Sequence, residues 1–509
     1  MRIIFIISFL IISSGLSAQT LTFKISGMED TTMNLVRYFG KGLYYADTAE
    51  MKNGVVTFDG SKQKAGMLAL FLPGQHRLEF LYNEEDVVIK AKAVNPMSGV
   101  IAEKSKENKI FYGYTRFLQK QRQKAMAWSE EMKSETPDSP KYVELQELIG
   151  GTSKDVKAYQ QNIIDKNWDL LVSRVIKMSM EVEIPEPPVD EAGNLLDSNF
   201  RFHYFREHYF DNIDLNDDRL VRTSIFHGKL EGYFAKNMMI QHWDTVVKYA
   251  YKFCDPLPAK SEMLQYCVSW ITSHFEKSKI MGMDKVFVSM GNRFYRPLDS
   301  TGASVANWMP ADKLATLLGR VDEIQGLVMG AKPENLILLD STDTKWHDFY
   351  SMESEYTLLY FWDPNCGHCK KVTPKLQTLY EKKFKERGIE IFAVGKAVGE
   401  DFEDWKDFIK EHNLTFTNVA VTQSLFKKAK EGPSQAEVLR HTTIESLNYQ
   451  KTYDVFQSPK VFVLDKDKKI IAKSLSVSQL EEMLDRLQGF DDLVKIFPIS
   501  EEPEDEQIH

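Results

Sequence analysis

Two cysteines separated by two residues, Cys366-Gly367-His368-Cys369, are the side chains of this sequence best suited to chemistry. At the first turn of a helix that spacing lets both sulfurs approach bonding distance. The free N–H groups and partial positive charge of the helix start then face the first sulfur. Cys366 is thus the exposed nucleophile. Cys369, one turn deeper, is the resolving thiol that closes the disulfide and expels the bound substrate. His368 adds positive charge beside Cys366 when protonated, and with Gly367 it forms the dipeptide that tunes the couple. A zinc site needs two further ligands at suitable spacing, and no second C-x-x-C exists. Haem attachment needs histidine directly after the second cysteine, where Lys370 stands. The expectation is no metal and no cofactor beyond the redox-active Cys366–Cys369 pair.

The other candidates read as structure. Cys254 and Cys267 fall near the end of one helical stretch and about two turns into the next, an offset of roughly 12 Å that exceeds the reach of a disulfide, so buried free thiols are expected. His203 and His208 flank Tyr204-Phe205-Arg206-Glu207 at a spacing that fits neither H-E-x-x-H nor H-x-x-E-H, which favours a packed aromatic helix.

The C-x-x-C needs a scaffold, and the flanking sequence supplies one. Tyr356 to Trp362 is a short β-prone apolar run suited to a strand buried on both faces. A helical stretch runs from the cysteines to about Lys385, and a second apolar run, Ile389 to Val394, follows Arg387-Gly388. The result is a βαβ unit with the cysteines at the strand-to-helix turn.

The segment from Phe361-Trp362 through Cys366-Gly367-His368-Cys369-Lys370, with Pro374 five residues after the second cysteine, resembles the active-site segment of the thioredoxin superfamily. Ser458-Pro459, directly before the apolar run Lys460 to Leu464, resembles that superfamily's cis-proline loop. There the proline faces the C-x-x-C and the preceding backbone pairs with substrate. The resemblance covers about residues 332 to 490. Within the superfamily it is closest to the exported TlpA/ResA-like, AhpC/TSA-related group. A peroxiredoxin-like site would have threonine where Asp363 stands. Trp362 and Phe361 are expected to support the site from the core, and Pro374 to kink the active-site helix. The resemblance also leaves a gap: thioredoxin's buried acid falls at Tyr360, and the ResA-like glutamate at Val372. Lys396, at the end of the second strand, is then the candidate for proton transfer. An extra stretch, about Ser424 to Leu447, interrupts the usual path into the cis-proline strand, either shaping the substrate surface or forming a tolerated insertion.

Around this module the chain of 509 residues divides further. Arg2, the apolar run Ile3–Ile12 and the small residues to Ala18 read as a signal peptide over 1–18, too short to span a membrane. Residues 19–95 alternate with period two between turns and predict an all-β sandwich or barrel. Residues 96–330 predict a helical domain, 331–490 the α/β thioredoxin-like domain, and 491–509 a disordered acidic tail. A hydrophobic content of 43% excludes wholesale disorder, and a net charge of −9 argues against nucleic acid as partner. The sequence therefore predicts an exported, periplasmic thiol–disulfide oxidoreductase, soluble once cleaved. Its expected partners are envelope protein thiols or disulfides and an upstream redox donor or acceptor. The alternative is an envelope binding or assembly protein in which the thioredoxin fold is a docking module.

Overall fold

The structure is a computed structural model that describes residues 19–236, 238–297 and 304–499, and no side chains at 432–434. The expected signal peptide, 1–18, and the end of the expected tail, 500–509, lie outside the described residues. The chain forms two compact units, one of residues up to 239 with 253–267, the other of 240–252 with 268–509. Among the described residues no helix is long and apolar enough to cross a membrane.

The first unit begins with eight strands: β1 (Thr20–Ser26), β2 (Thr32–Phe39), β3 (Gly42–Glu50), β4 (Val55–Asp59), β5 (Gly66–Phe71), β6 (Arg77–Tyr82), β7 (Val87–Lys92) and β8 (Ile101–Lys104). They form two four-stranded sheets, ordered β4-β1-β7-β8 and β3-β2-β5-β6. Phe23 of β1 meets Phe80 of β6 edge-on at 5.0 Å between ring centroids, joining the two sheets in one core. The sheet extends beyond residue 95, because β8 pairs with β7 before the first helix starts. Then follow α1 (Lys106–Met132), α2 (Pro140–Lys166) and α3 (Leu171–Ser179). Ser105 caps α1 by accepting from the Asn108 N–H. Buried Asn108 bonds both backbone polar groups of Leu81 on β6, fixing α1 to the sheet. Glu107, equally buried, accepts from the N–H groups of Leu171 and Val172 and so caps α3, which has no side-chain cap of its own. Cys254 and Cys267 are buried free thiols.

The second unit centres on a seven-stranded sheet with the order β10-β9-β13-β12-β11-β14-β15. The strands are β9 (Ile337–Asp340), β10 (Trp346–Asp348), β11 (Tyr356–Trp362), β12 (Ile389–Gly395), β13 (Thr417–Ala420), β14 (Lys460–Leu464) and β15 (Ile470–Lys473). Central β11 pairs in parallel with β12 and antiparallel with β14. Its uniformly apolar sequence follows from burial on both faces. Leu358, Tyr360 and Trp362 enter one core together with Cys369, Val372 and Leu376 of the active-site helix, Gly367–Leu379. Leu359 and Phe361 enter the opposite core, with Tyr449 and Tyr453.

Two expectations, on 96–330 and on the tail, are corrected here, and the extra stretch is given its form. Residues 96–330 are not one helical domain: the stretch 268–330 belongs to the same compact unit as the seven-stranded sheet. Arg320 makes a two-pronged ion pair with Asp454, Lys473 pairs with Asp284 and donates to the Leu327 carbonyl, and the Gly330 N–H donates to the Ile470 carbonyl. Apolar periodicity identifies a helix but not which sheet it packs on. Next, the extra stretch is a run of short helices, Gln423–Lys430, Gly432–Val438, Ile444–Leu447 and Tyr449–Thr452, continuous with the second core. Lastly, the tail is bound up to Phe497: the N–H groups of Ile496 and Phe497 donate to the two oxygens of buried Glu481, and Lys495 pairs with Asp485. The acidic composition at the very end masks these two apolar residues, which pack against the core.

Candidate active site

Strand β11 delivers the chain to the site, and a turn ends it. The Asp363 carboxylate accepts from the Asn365 N–H at 2.8 Å, and the Asp363 carbonyl accepts from the Cys366 N–H at 3.1 Å. Cys366 is the N-cap of the active-site helix, in extended conformation, with its carbonyl accepting from the Lys370 N–H. Cys366 is half-buried, while Cys369 is fully buried. The two thiols therefore differ in access, as the helix position requires.

The third strand of the site arrives from the far end of the chain. Ser458-Pro459 is a cis peptide, and the Cys366 thiol donates to the Ser458 carbonyl at 3.4 Å. Ninety-odd residues of sequence separate these groups, and the antiparallel pairing of β14 with β11 brings them together.

The electrostatics of the two sulfurs diverge. Burial works to raise the Cys366 thiol. It is outweighed by the Cys369 backbone N–H and side chain, the His368 backbone N–H and the Ser458 side chain, so the thiol lies below its ordinary value. The assistance from His368 comes through its backbone N–H at the helix start. Burial pushes Cys369 up to about 12, opposed by the Asp363 N–H, which donates to Cys369 Sγ at 3.4 Å. Cys366 thus gives up its proton more readily than an ordinary thiol, and Cys369 is held as thiol.

The remaining sequence candidates fall around this pair. Trp362 is buried under the site and packs on Phe408 at 5.1 Å. Pro374 lies inside the active-site helix, its carbonyl accepting from the Thr378 hydroxyl. Val372 is buried in the adjacent core. Tyr360 is buried and shares a 2.8 Å hydrogen bond with Thr373; burial, then the neighbouring Cys369, holds its phenol far above the ordinary range. Lys396 is not a proton acceptor at neutral pH. Its ammonium is 2.9 Å from Asp401 and 3.2 Å from Asp363, and these bonds raise its affinity for the proton. Lys396 instead ties the end of β12 to the turn before Cys366, and its N–H donates to the Trp362 carbonyl.

Sequence reasoning missed the partners of that tie. Asn365 donates to both Asp401 and Asp404 at 2.9 Å, from the first turn of helix Asp401–Glu411. Asp363 was visible as the first polar residue after an apolar strand, the position where such a turn closes. Asp401 had no signal, since it lies in an acidic stretch like any solvated helix start. Among the described residues no group of three or more His, Cys, Asp or Glu side chains could hold a metal ion.

Known families and proteins resemble parts of this chain. A family described as thioredoxin-like matches residues 354–470, and a domain family of unknown function matches residues 19–111. A thiol-disulfide oxidoreductase ResA from Bacillus cereus is 27% identical over 172 residues, which is 33% of this chain and 84% of that protein. A ResA from Bacillus thuringiensis is 28% identical over 162 residues, 31% of this chain and 78% of that one. Among solved structures, a domain of a possible thiol-disulfide isomerase from Cytophaga hutchinsonii is 30% identical, covering 32% of this chain and 95% of that chain at a TM-score of 0.26. The second unit thus carries a thioredoxin-like domain whose relatives are thiol–disulfide oxidoreductases.

Proposed function

We propose that this chain, an enzyme of the thiol–disulfide oxidoreductase kind built on a thioredoxin-like domain, exchanges protein disulfides in the bacterial envelope through Cys366 and Cys369. The Cys366 thiolate attacks one sulfur of a substrate disulfide, forming a mixed disulfide and releasing the other sulfur as a thiolate that takes up a proton. Cys369 loses its proton and attacks Cys366 Sγ. The second substrate sulfur leaves as thiolate, and the two electrons of the dithiol have passed to the substrate. Oxidation of a substrate dithiol runs through the same bonds in reverse.

The observation that carries this reading is the asymmetry of the two sulfurs. Cys366 stands at a helix start with a lowered pKa beside the Ser458 carbonyl, and Cys369 lies buried with a raised one. Favouring the Cys366 thiolate stabilises the dithiol over the disulfide and inclines the couple toward oxidising or isomerising its substrates. A substrate chain beside Cys366 would meet the Ser458 backbone, which suits an extended polypeptide. Residues 1–18 would direct export, after which the mature chain works in the periplasm on envelope proteins with a separate redox donor or acceptor.

The test uses the full chain. Cys369→Ser should accumulate discrete mixed disulfides with envelope proteins, and Cys366→Ser should abolish both insulin reduction and oxidation of a reduced test protein. Unchanged activity in Cys366→Ser refutes the assignment. Equilibration with glutathione gives the direction, with a potential near roughly −180 mV for an oxidant or isomerase and near roughly −270 mV for a reductase.

A further inference from the structure

In the first unit, α1, α2 and the segment leaving α3 enclose an open groove of about 1100 Å³. This exceeds the roughly 300–1,000 Å³ usual for small-molecule sites. We infer that the groove binds an extended, acidic stretch of polypeptide. The inference does not depend on the chemistry at Cys366.

One wall is a stretch of unpaired backbone. The chain leaves α3 at Met180 in extended conformation (φ −72, ψ 150) and runs without turn or bend from 181 to 188. One side of its start is held: Asn212 donates to the Glu181 carbonyl and Lys229 to the Met180 carbonyl. Beyond that, Val182 and Glu183 face the groove, and Val182, Glu183 and Ile184 make no backbone hydrogen bond among the described residues. Such an edge is the template to which an added strand pairs.

The opposite wall is shaped to receive one. Gln121 of α1 is only 6% exposed, lines the groove, and its side-chain oxygen has no hydrogen-bond partner. A buried acceptor left unmatched calls for a donor from the occupant, and a peptide N–H is one. Gly150 lies in the middle of α2, where glycine disfavours the helix, and a Cβ built there meets nothing within 4 Å. No packing within the unit requires the small residue, and the space it leaves belongs to the groove.

The charges select the occupant's sign. Lys157 pairs with Glu183 across the groove, and Glu181 lies near Lys229. Arg122 and Lys154 remain, both exposed on the lining and without an ion pair among the described residues. They face an incoming chain with positive charge and ask for carboxylates.

The probe is a fluorescein-labelled, cysteine-free peptide alternating Glu with Val or Thr, added to the full chain carrying Cys366→Ser and Cys369→Ser so that thiol capture is absent. Anisotropy should show saturable binding. Replacing Glu by Lys, or methylating alternate backbone nitrogens so that one edge cannot pair, should weaken it by about tenfold or more. Gly150→Leu should intrude on the groove and weaken binding by about tenfold or more while the chain melts no lower than the parent. The exposed double variant Arg122→Glu, Lys154→Glu should invert the preference toward the Lys peptide, and it decides the matter should Gly150→Leu fold poorly. No saturable binding up to about 1 mM overturns the inference, as does equal affinity for the methylated peptide or indifference to both variants.

Discussion

The resolving step should show a pH dependence that an ordinary thiol could not produce. Burial carries Cys369 from an ordinary value of 9.0 up to about 12. That gap disfavours the thiolate by about 4 kcal/mol. At pH 7 the thiolate fraction is then on the order of 10⁻⁵, against about 1% for a thiol titrating at its ordinary value. The stronger nucleophile recovers part of this thousandfold deficit and leaves roughly 40-fold. In the mixed disulfide Cys366 carries no charge, so its part in raising Cys369 disappears, but burial, the larger cause, remains. The assay is a single turnover. Dithiobis(nitrobenzoate) is used to load Cys366 with thionitrobenzoate, and attack by Cys369 releases the coloured thiolate. The logarithm of the release rate should rise with unit slope from about pH 6 to about pH 9, with no plateau below about pH 11. A plateau near pH 8 or 9 would show Cys369 titrating as an exposed thiol and would refute the reasoning. A flat profile would refute it differently, by revealing an internal base that takes the proton.

Three further outcomes follow from the second unit. Glu481 is fully buried, pairs with Lys383 and receives the N–H groups of Ile496 and Phe497, so Glu481→Ala should destabilise the chain by about 3–5 kcal/mol in denaturant melts and free residues 491–499 to proteolysis. Asp485 is held low because Lys495, Arg387 and Lys383 outweigh its burial. A carboxyl with a folded pKa below its unfolded one contributes stability that is complete above the unfolded pKa, near pH 4, and is lost as pH falls through the folded value. Acid melts of Asp485→Asn should lack that loss. A Cβ at Gly395, the last residue of β12, would sit 2.0 Å from Trp405 Nε1, so Gly395→Ala should cost about 1–3 kcal/mol in thermal melts and disturb the adjacent Lys396 tie.

The centre of the fold was legible because its signals are local. The apolar run of β11, the C-x-x-C after it and the Ser-Pro before β14 each announce themselves within a few residues, and the sheet joins them. What escaped was decided by partners far away in sequence. Lys396 reads as a possible base in isolation, but Asp401 and Asp363 flank its ammonium and tighten its hold on the proton. Ile496 and Phe497 read as part of an acidic tail until Glu481 is seen to be buried and in need of donors. The helices of 268–330 showed their period but not their address.

That address bears on how such a protein can change over evolution. A recombination point at residue 331 would separate Arg320 from Asp454, Asp284 from Lys473, and Gly330 from the Ile470 carbonyl. The transplanted sheet would carry an Asp454 carboxylate stripped of its two-pronged bond to Arg320 and left with half-buried Lys460 alone, and an unanswered Lys473 at its edge strand. A transplant that keeps the edge of this sheet intact must therefore begin upstream, among the helices of 268–330 that share its compact unit.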